Sequence, residues 1–181
     1  MNPVGLRELV YRYRGALLAP PLLAALLLDP RGGPLAWAAG TGLFAAGGLL
    51  RVWAGQHVRY RLDDAHRLAT TGPYRRVRNP VYLGTILLCA GAVATAGRPW
   101  LAAGTAAWCA LVYLPVVRFE EEHLERKFGE DYRDYCRRVP RWLPRPAAGP
   151  PELVTGHLGA ALRAEAGTLL LIVPFVIRAL V

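Results

Sequence analysis

Apolar residues along this chain come in long, nearly uncharged runs, separated by short blocks that hold almost all of the charge. The first run, Gly15 to Leu28, is short for a helix crossing ~30 Å of hydrocarbon, which needs about 20 residues. Pro20 and Pro21 break or kink it, and Val10 to Tyr13 extend it. Leu35 to Gly55 is the second run, rich in the small residues that let helices approach closely in lipid, with Arg51 near its end positioned to snorkel. A basic polar loop, Arg59 to Asn79, precedes the third run, Val81 to Gly97. A tight Gly97-Arg98-Pro99 turn then opens the fourth, Trp100 to Val117, so the two read as a helical hairpin with tryptophans at the interfaces. Phe119 to Arg138 is charged, but Phe119, Leu124, Phe128, Tyr132 and Tyr135 recur at roughly helical spacing, which predicts a surface helix broken at Gly129. Pro140, Pro144, Pro146, Pro150 and Pro151 end regular structure there. A last apolar run, Ala166 to Val181, carries Pro174 and Arg178 and reads as a fifth span, a half-span or an interfacial helix. The pattern predicts an all-α, polytopic transmembrane protein with four to five membrane segments. It divides the chain into N-terminal membrane helices (1–55), a core of loop, hairpin, acidic cluster and tail (56–145), and a proline-rich linker with a C-terminal apolar helix (146–181).

Charge changes the picture by adding direction. The 181 residues are 54% hydrophobic, yet the net charge is +9. Arg7, Arg12 and Arg14 precede the first run, the loop 59–78 is basic, and so is the tail 126–145, while the opposite turns carry only Arg31 and Arg98. Four spans with an internal N-terminus place all three basic segments in the cytoplasm, as in a bacterial-type inner membrane. These arginines are juxtamembrane, where they orient a protein and meet anionic lipid, so the chain is not expected to bind nucleic acid. Cys89, Cys109 and Cys136 form no disulfide framework and no zinc spacing.

Two constellations carry candidate chemistry. Glu120, Glu121 and Glu122 stand where the fourth run ends. Either they form a solvated patch paired with Arg75, Arg76 or Arg78, or one of them turns inward to meet a ligand. Asn79 and Pro80 open the third run as an N-cap and a first-turn proline, which leaves Tyr82 and Gly84 less explained. His66 with Asp63 and Asp64 reads as a solvated loop rather than a metal site, and no triad, Walker loop or dinucleotide fingerprint is present.

The blocks Leu68-Ala-Thr-Thr-Gly-Pro-Tyr74, Arg78-Asn-Pro-Val-Tyr-Leu-Gly84, Glu120-Glu-Glu, Phe128-Gly-Glu-Asp-Tyr132 and Tyr135 to Pro144 together resemble the isoprenylcysteine carboxyl methyltransferase family and the wider group of small membrane phospholipid methyltransferases. The order and spacing of the blocks carry the resemblance, over about residues 59 to 145. It implies an integral-membrane enzyme with an S-adenosylmethionine pocket at the cytosolic edge. The implied cofactor contacts are His66, Arg67, Leu68, Ala69, Tyr74, Asn79, Pro80, Val81, Tyr82 and Glu120. Glu120, Glu121 and Tyr82 are the implied catalytic residues, and Arg118 is the implied contact for a lipophilic acceptor. The acceptor is an isoprenylcysteine-like carboxylate or another group, with a phospholipid amine as the alternative. Two departures stand out: Asn79 replaces a family histidine, and the apolar Val116 stands where the family's substrate-binding arginine would align. The Arg-x-Pro-x-Tyr block and the tail are also similar to membrane sterol reductases, which bind NADPH but are longer. A non-enzymatic protein keeping the same fold is the remaining alternative.

Overall fold

A backbone in hydrocarbon has no water to bond, so each apolar run must close its own hydrogen bonds, and here each does so as a helix. The protein is seen in a computed structural model that describes residues 9–28, 32–63, 68–146 and 157–180, and the side chains of these except 59–63 and 179–180. Residues 9–13 are helical; a 3-10 turn, Ala16–Leu18, follows and leads into α1 (Ala19–Leu27). Pro20 sits in the first turn of α1, where a missing N–H costs nothing, so the break falls before the prolines rather than at them. Then come α2 (Pro34–Asp63), α3 (Pro80–Ala94), α4 (Pro99–Phe128), α5 (Glu130–Arg138), α6 (Leu158–Leu169), a 3-10 turn (Leu170–Ile172) and α7 (Val173–Leu180). Pro174 lies in the first turn of α7; it has no N–H for the Leu170 carbonyl, so the chain tightens into the 3-10 turn there.

Three stretches are long and apolar enough to cross a membrane: Pro34–Val58, Pro99–Phe128 and Leu158–Arg178. Ala16–Leu27 and Pro80–Ala94 are shorter apolar helices. This is a helical, polytopic membrane protein, and large apolar side chains such as Leu23, Leu49 and Leu111 stand exposed on its outer face.

The structure revises three sequence expectations. The basic loop begins later than Arg59, because α2 continues to Asp63. The segment after Val117 is no separate surface helix until Gly129; α4 runs unbroken to Phe128, and only α5 is set apart, by a Gly129 with φ of 55°. The last apolar stretch begins at Leu158 rather than Ala166, because Glu165, the charge that hid it, is buried in an ion pair.

Helix α2 packs against α3 and α6, α3 against α4, α4 against α1, and α1 against α7, which closes a ring. The tightest seam is α2 on α3, where small residues face each other at seven-residue spacing, Gly40 and Gly47 against Gly84 and Gly91. A Cβ on Gly84 would lie 2.8 Å from the Gly47 carbonyl oxygen and 2.7 Å from Arg51 Cγ. Glycine at 84 thus lets two backbones meet, which answers why a helix former is missing there.

Gly84→Leu is expected to destabilise the protein by about 1–3 kcal/mol or more, as overpacking does. Gly42→Leu on the same α2 helix, where an added Cβ meets nothing within 4 Å, should be nearly neutral. Thermal unfolding of the two variants in detergent checks the difference.

Candidate active site

The basic loop folds back onto the helices because its turns have fixed anchors. Gly72, with φ of 56°, lets the chain pass directly over the buried His57 ring of α2, a position where any Cβ would collide. His57 Nδ1 lies 2.8 Å from Thr71 Oγ1. From Tyr74 to Arg78 the loop is laced to the tail. Tyr135 Oη donates to the Tyr74 carbonyl at 2.8 Å, the Arg78 amide to Pro140 O at 2.9 Å, and the Arg145 amide to Arg76 O at 3.0 Å. Tyr132, Tyr135 and Val139 make a small core that Leu68 joins. Burial pushes both phenols well above their ordinary range, so they remain neutral.

One carboxylate ties these parts together. Glu121 is buried and accepts from Arg78 Nε at 3.1 Å, Asn79 Nδ2 at 3.2 Å, and Arg141 Nε and Nη2 at 2.9 and 2.6 Å. Its hydrogen bond holds Arg141 above the ordinary arginine range. Asn79 occupies the N-cap position of α3 but makes no side-chain cap bond, contrary to the capping expectation. Its amide is spent on Glu121 and, at 3.3 Å, on the Arg141 carbonyl. A histidine would hardly offer two donors from one nitrogen this way, so the asparagine has a structural reason.

Glu120 faces another way. Its Oε1 accepts from Tyr82 Oη at 2.6 Å, and the Tyr82 ring lies 4.6 Å from that of Tyr113. Glu120 and Tyr82 line a cavity of about 560 Å³ together with Tyr74, Asn79, Pro80 and Val81. The structure therefore brings these expected site residues together. It adds Tyr11, Arg14, Phe119 and His123, which sequence reasoning did not place in the site. This lining offers one carboxylate, several aromatic faces and the guanidiniums of Arg14 and Arg78. It suits a ligand that carries both a cation and a carboxylate.

Other expected residues stand elsewhere. Leu68 packs in the tail cluster and Ala69 is buried, neither of them in this cavity. His66, Arg67 and Asp64 lie outside the described residues, as does the side chain of Asp63. Glu121 and the exposed Arg118 line a separate cavity of about 490 Å³ with Tyr132 and Cys136, on the other side of α4. Among the described residues no three metal-ligating side chains gather.

A third cavity, of about 520 Å³, lies inside the helix ring and shares Arg14, Val81 and Tyr82 with the first. Arg51 lines it. Instead of snorkelling, the half-buried Arg51 turns into the bundle, with Nε 2.6 Å from Glu165 Oε2 on α6, Nη1 at 3.4 Å from the Val81 carbonyl, and Nη1 also on Thr85 Oγ1. The sequence signal for this pair was present: a lone arginine and a lone glutamate, each inside an apolar run.

These features define a helical membrane protein with an edge cavity, rich in charge and aromatics, that shares a wall with an intramembrane one. Residues 35–131, more than half of the chain, match the model of the phospholipid methyltransferase family, and the chain belongs to that family. It is similar to the nickel-cobalt-cadmium resistance protein NccN of Alcaligenes xylosoxydans xylosoxydans, 37% identical over 95 residues, covering 52% of this chain and 43% of that one. It is also similar to protein-S-isoprenylcysteine O-methyltransferase B of Arabidopsis thaliana, 29% identical over 87 residues, 48% of this chain and 44% of that one. A third relative is methanethiol S-methyltransferase 2 of Bradyrhizobium diazoefficiens, 40% identical over 73 residues, 40% of this chain and 27% of that one. The matched stretch thus spans less than half the length of these relatives. No solved structure matches the chain.

Removing one partner from a buried ion pair strands the other charge. Glu121→Gln should therefore cost about 3 kcal/mol of stability, whereas Glu120→Gln, which strands no arginine bound to it, should cost much less. Parallel denaturation of the two variants, neighbours in sequence, checks this.

Proposed function

We propose that the protein is a membrane methyltransferase that moves a methyl group from S-adenosylmethionine to a carboxylate, or a comparable group, of a lipophilic acceptor. The observation that carries this reading is Tyr82. It stands in the walls of both the edge cavity and the intramembrane cavity, where a water-soluble donor would meet a lipid-soluble acceptor. Family membership and relatives named for O- and S-methyl transfer support it.

The residues of the edge cavity fit the cofactor. Glu120, held by Tyr82, and the faces of Tyr82 and Phe119 would favour its cationic groups; Arg14 and Arg78 would take its carboxylate. When bound, S-adenosylmethionine supplies a methyl on a sulfonium, and its C–S bond breaks with the electron pair left on sulfur. The chain's task is then alignment and exclusion of water. The Tyr82 hydroxyl, committed to Glu120, fixes that ring as the partition between the two half-sites. Glu121 ties the loop, which lines the edge cavity, to the tail, a positioning role in place of the catalytic role that the resemblance implies. Asn79 acts in the same tie and moves no proton. The basic segments favour an orientation with the edge cavity toward the cytoplasm.

A second reading is N-methylation of a phospholipid amine, favoured by the name of the matching family. The NADPH-binding reductase reading has no support from these comparisons.

Calorimetric titration of S-adenosylhomocysteine into the detergent-purified protein should show binding that weakens roughly tenfold in Glu120→Gln, the loss of one charge-assisted contact. No binding of S-adenosylhomocysteine, or binding of NADPH in its place, would overturn the assignment.

A further inference from the structure

The intramembrane cavity holds charge that the fold does not need for itself. A buried ion pair is replaceable by well-packed apolar side chains at little cost to stability, so Arg51 and Glu165 inside the ring call for another reason. Their side chains are only 16% and 11% exposed. The geometry of the guanidinium supplies that reason. Nε is occupied by Glu165 and Nη1 by Thr85 and the Val81 carbonyl, while Nη2 has no hydrogen-bond partner among the described residues. Arg51 is thus clamped from two helices with one donor-bearing nitrogen left over, in the wall of a cavity of about 520 Å³.

The rest of the lining has one sign. Arg12 and Arg14 stand on the N-terminal side, and among the described residues no carboxylate lines this cavity. Glu165 neutralises Arg51 from behind, and Glu120, which lines the edge cavity together with Arg14, acts on that arginine from outside this cavity, so the charged groups that face the cavity itself are all guanidiniums. Leu18, Leu22 and Leu171 complete the wall with apolar surface. A compact anion attached to an apolar chain is matched on both counts. A protonated amine would meet three guanidiniums and no carboxylate able to accept its proton.

We propose that this cavity binds the head of a single-chain anionic amphiphile, with Arg51 as the anion-recognising residue and Glu165 as the residue that positions it. That the anion is the methyl acceptor rests on the methyltransferase reading; the binding site does not. Part of the site comes from outside the stretch that defines the family. Glu165, Thr168 and Leu171 lie beyond residue 131, so the C-terminal helix supplies a wall and the clamp on Arg51.

The test uses the full chain in detergent, with fluorescent dansyl-undecanoate as the probe and dodecanoate, dodecanol and dodecylamine as competitors. Dodecanoate should displace the probe roughly tenfold better than dodecanol, as expected for one hydrogen bond to a charged group, with dodecylamine the weakest. Arg51→Gln should abolish the advantage of dodecanoate over dodecanol while S-adenosylhomocysteine still binds the edge cavity. Ala19→Trp, which fills the ring from α1 without altering charge, should block the probe itself. The wild-type ranking decides even if Arg51→Gln does not fold. Preference for the alcohol or the amine, or an Arg51→Gln protein that still prefers the carboxylate, would overturn the proposal. If the ranking holds but S-adenosylhomocysteine does not bind, the anion site stands and the methyl-transfer reading falls; the reverse pattern removes the site alone.

Discussion

The carboxylate of Glu121 is where the architecture closes. Three segments distant in sequence must meet at the membrane edge: the loop ending at Arg78 and Asn79, the fourth span, and the tail carrying Arg141. Each brings polar backbone into a region with little water, and each would be costly there alone. Glu121 receives two donors from the loop, Arg78 Nε and Asn79 Nδ2, and two from the tail, while riding on α4. The Arg78 amide to Pro140 and the Asn79 side chain to the Arg141 carbonyl extend the same knot to backbone. With this tie in place, the loop is held in the wall of the cavity in which Glu120 and Tyr82 stand. The two adjacent glutamates thus divide the work: one holds the structure shut, and the other is left to face the cavity.

Depth follows from helix lengths. Helix α3, at 15 residues, rises roughly 22 Å, short of a ~30 Å hydrocarbon layer. Helix α4 has 30 residues and leaves that layer near Glu120, roughly 32 Å along from Pro99. The polar start of α3 therefore sits lower than the end of α4, inside the slab, with the Asn79–Tyr82 turn in the wall of the edge cavity that the longer helix borders. An edge cavity is what this mismatch produces. Close glycine contact between α2 and α3 fixes the depth of Arg51 beside Thr85 and Val81, so the same seam that builds the ring also sets its charged wall.

Much of this was legible in the chain. Apolar runs without charge gave the hairpin and the all-helical membrane class, since hydrocarbon leaves the backbone few alternatives, and helical spacing within the charged tail gave the position of the Gly129 break. The blocks around Asn79 to Tyr82 and at Glu120 pointed to residues that the fold does gather around one cavity. What the sequence hid was partnership. Asn79 before Pro80 has the form of an N-cap, and only the approach of Glu121 and the tail shows where its amide goes. Glu120 and Glu121 are indistinguishable as letters, yet the helical turn between them sends one to Tyr82 and the other to two arginines. Arg51 reads from sequence as a snorkelling residue at the end of one apolar run, and Glu165 falls just before the start of another as read. Their separation of 114 positions kept the pair out of reach of local pattern, and the last span was accordingly read as starting too late.

The place of that pair bears on how members of one family come to differ. The matched stretch ends at residue 131, and it contains Arg51, Thr85, Tyr82 and Glu120 but not Glu165. An arginine inside a membrane bundle is sustained only with a partner, and here the partner arrives on a helix beyond the shared core. A different C-terminal segment, or none, would leave Arg51 without its clamp and would force another residue at position 51 or another use for it. The apolar Val116, fully buried on α4, makes the complementary point: where the family pattern places an arginine, this chain has no charge to offer. In this chain the bundle's positive charge is carried by Arg51 on α2 and held from α6, in the same cavity wall as Tyr82. Under the proposed methyl transfer, which is in-line, direction of approach is what an acceptor site must specify. The C-terminal helix is accordingly the part of the molecule in which acceptor choice is best sought.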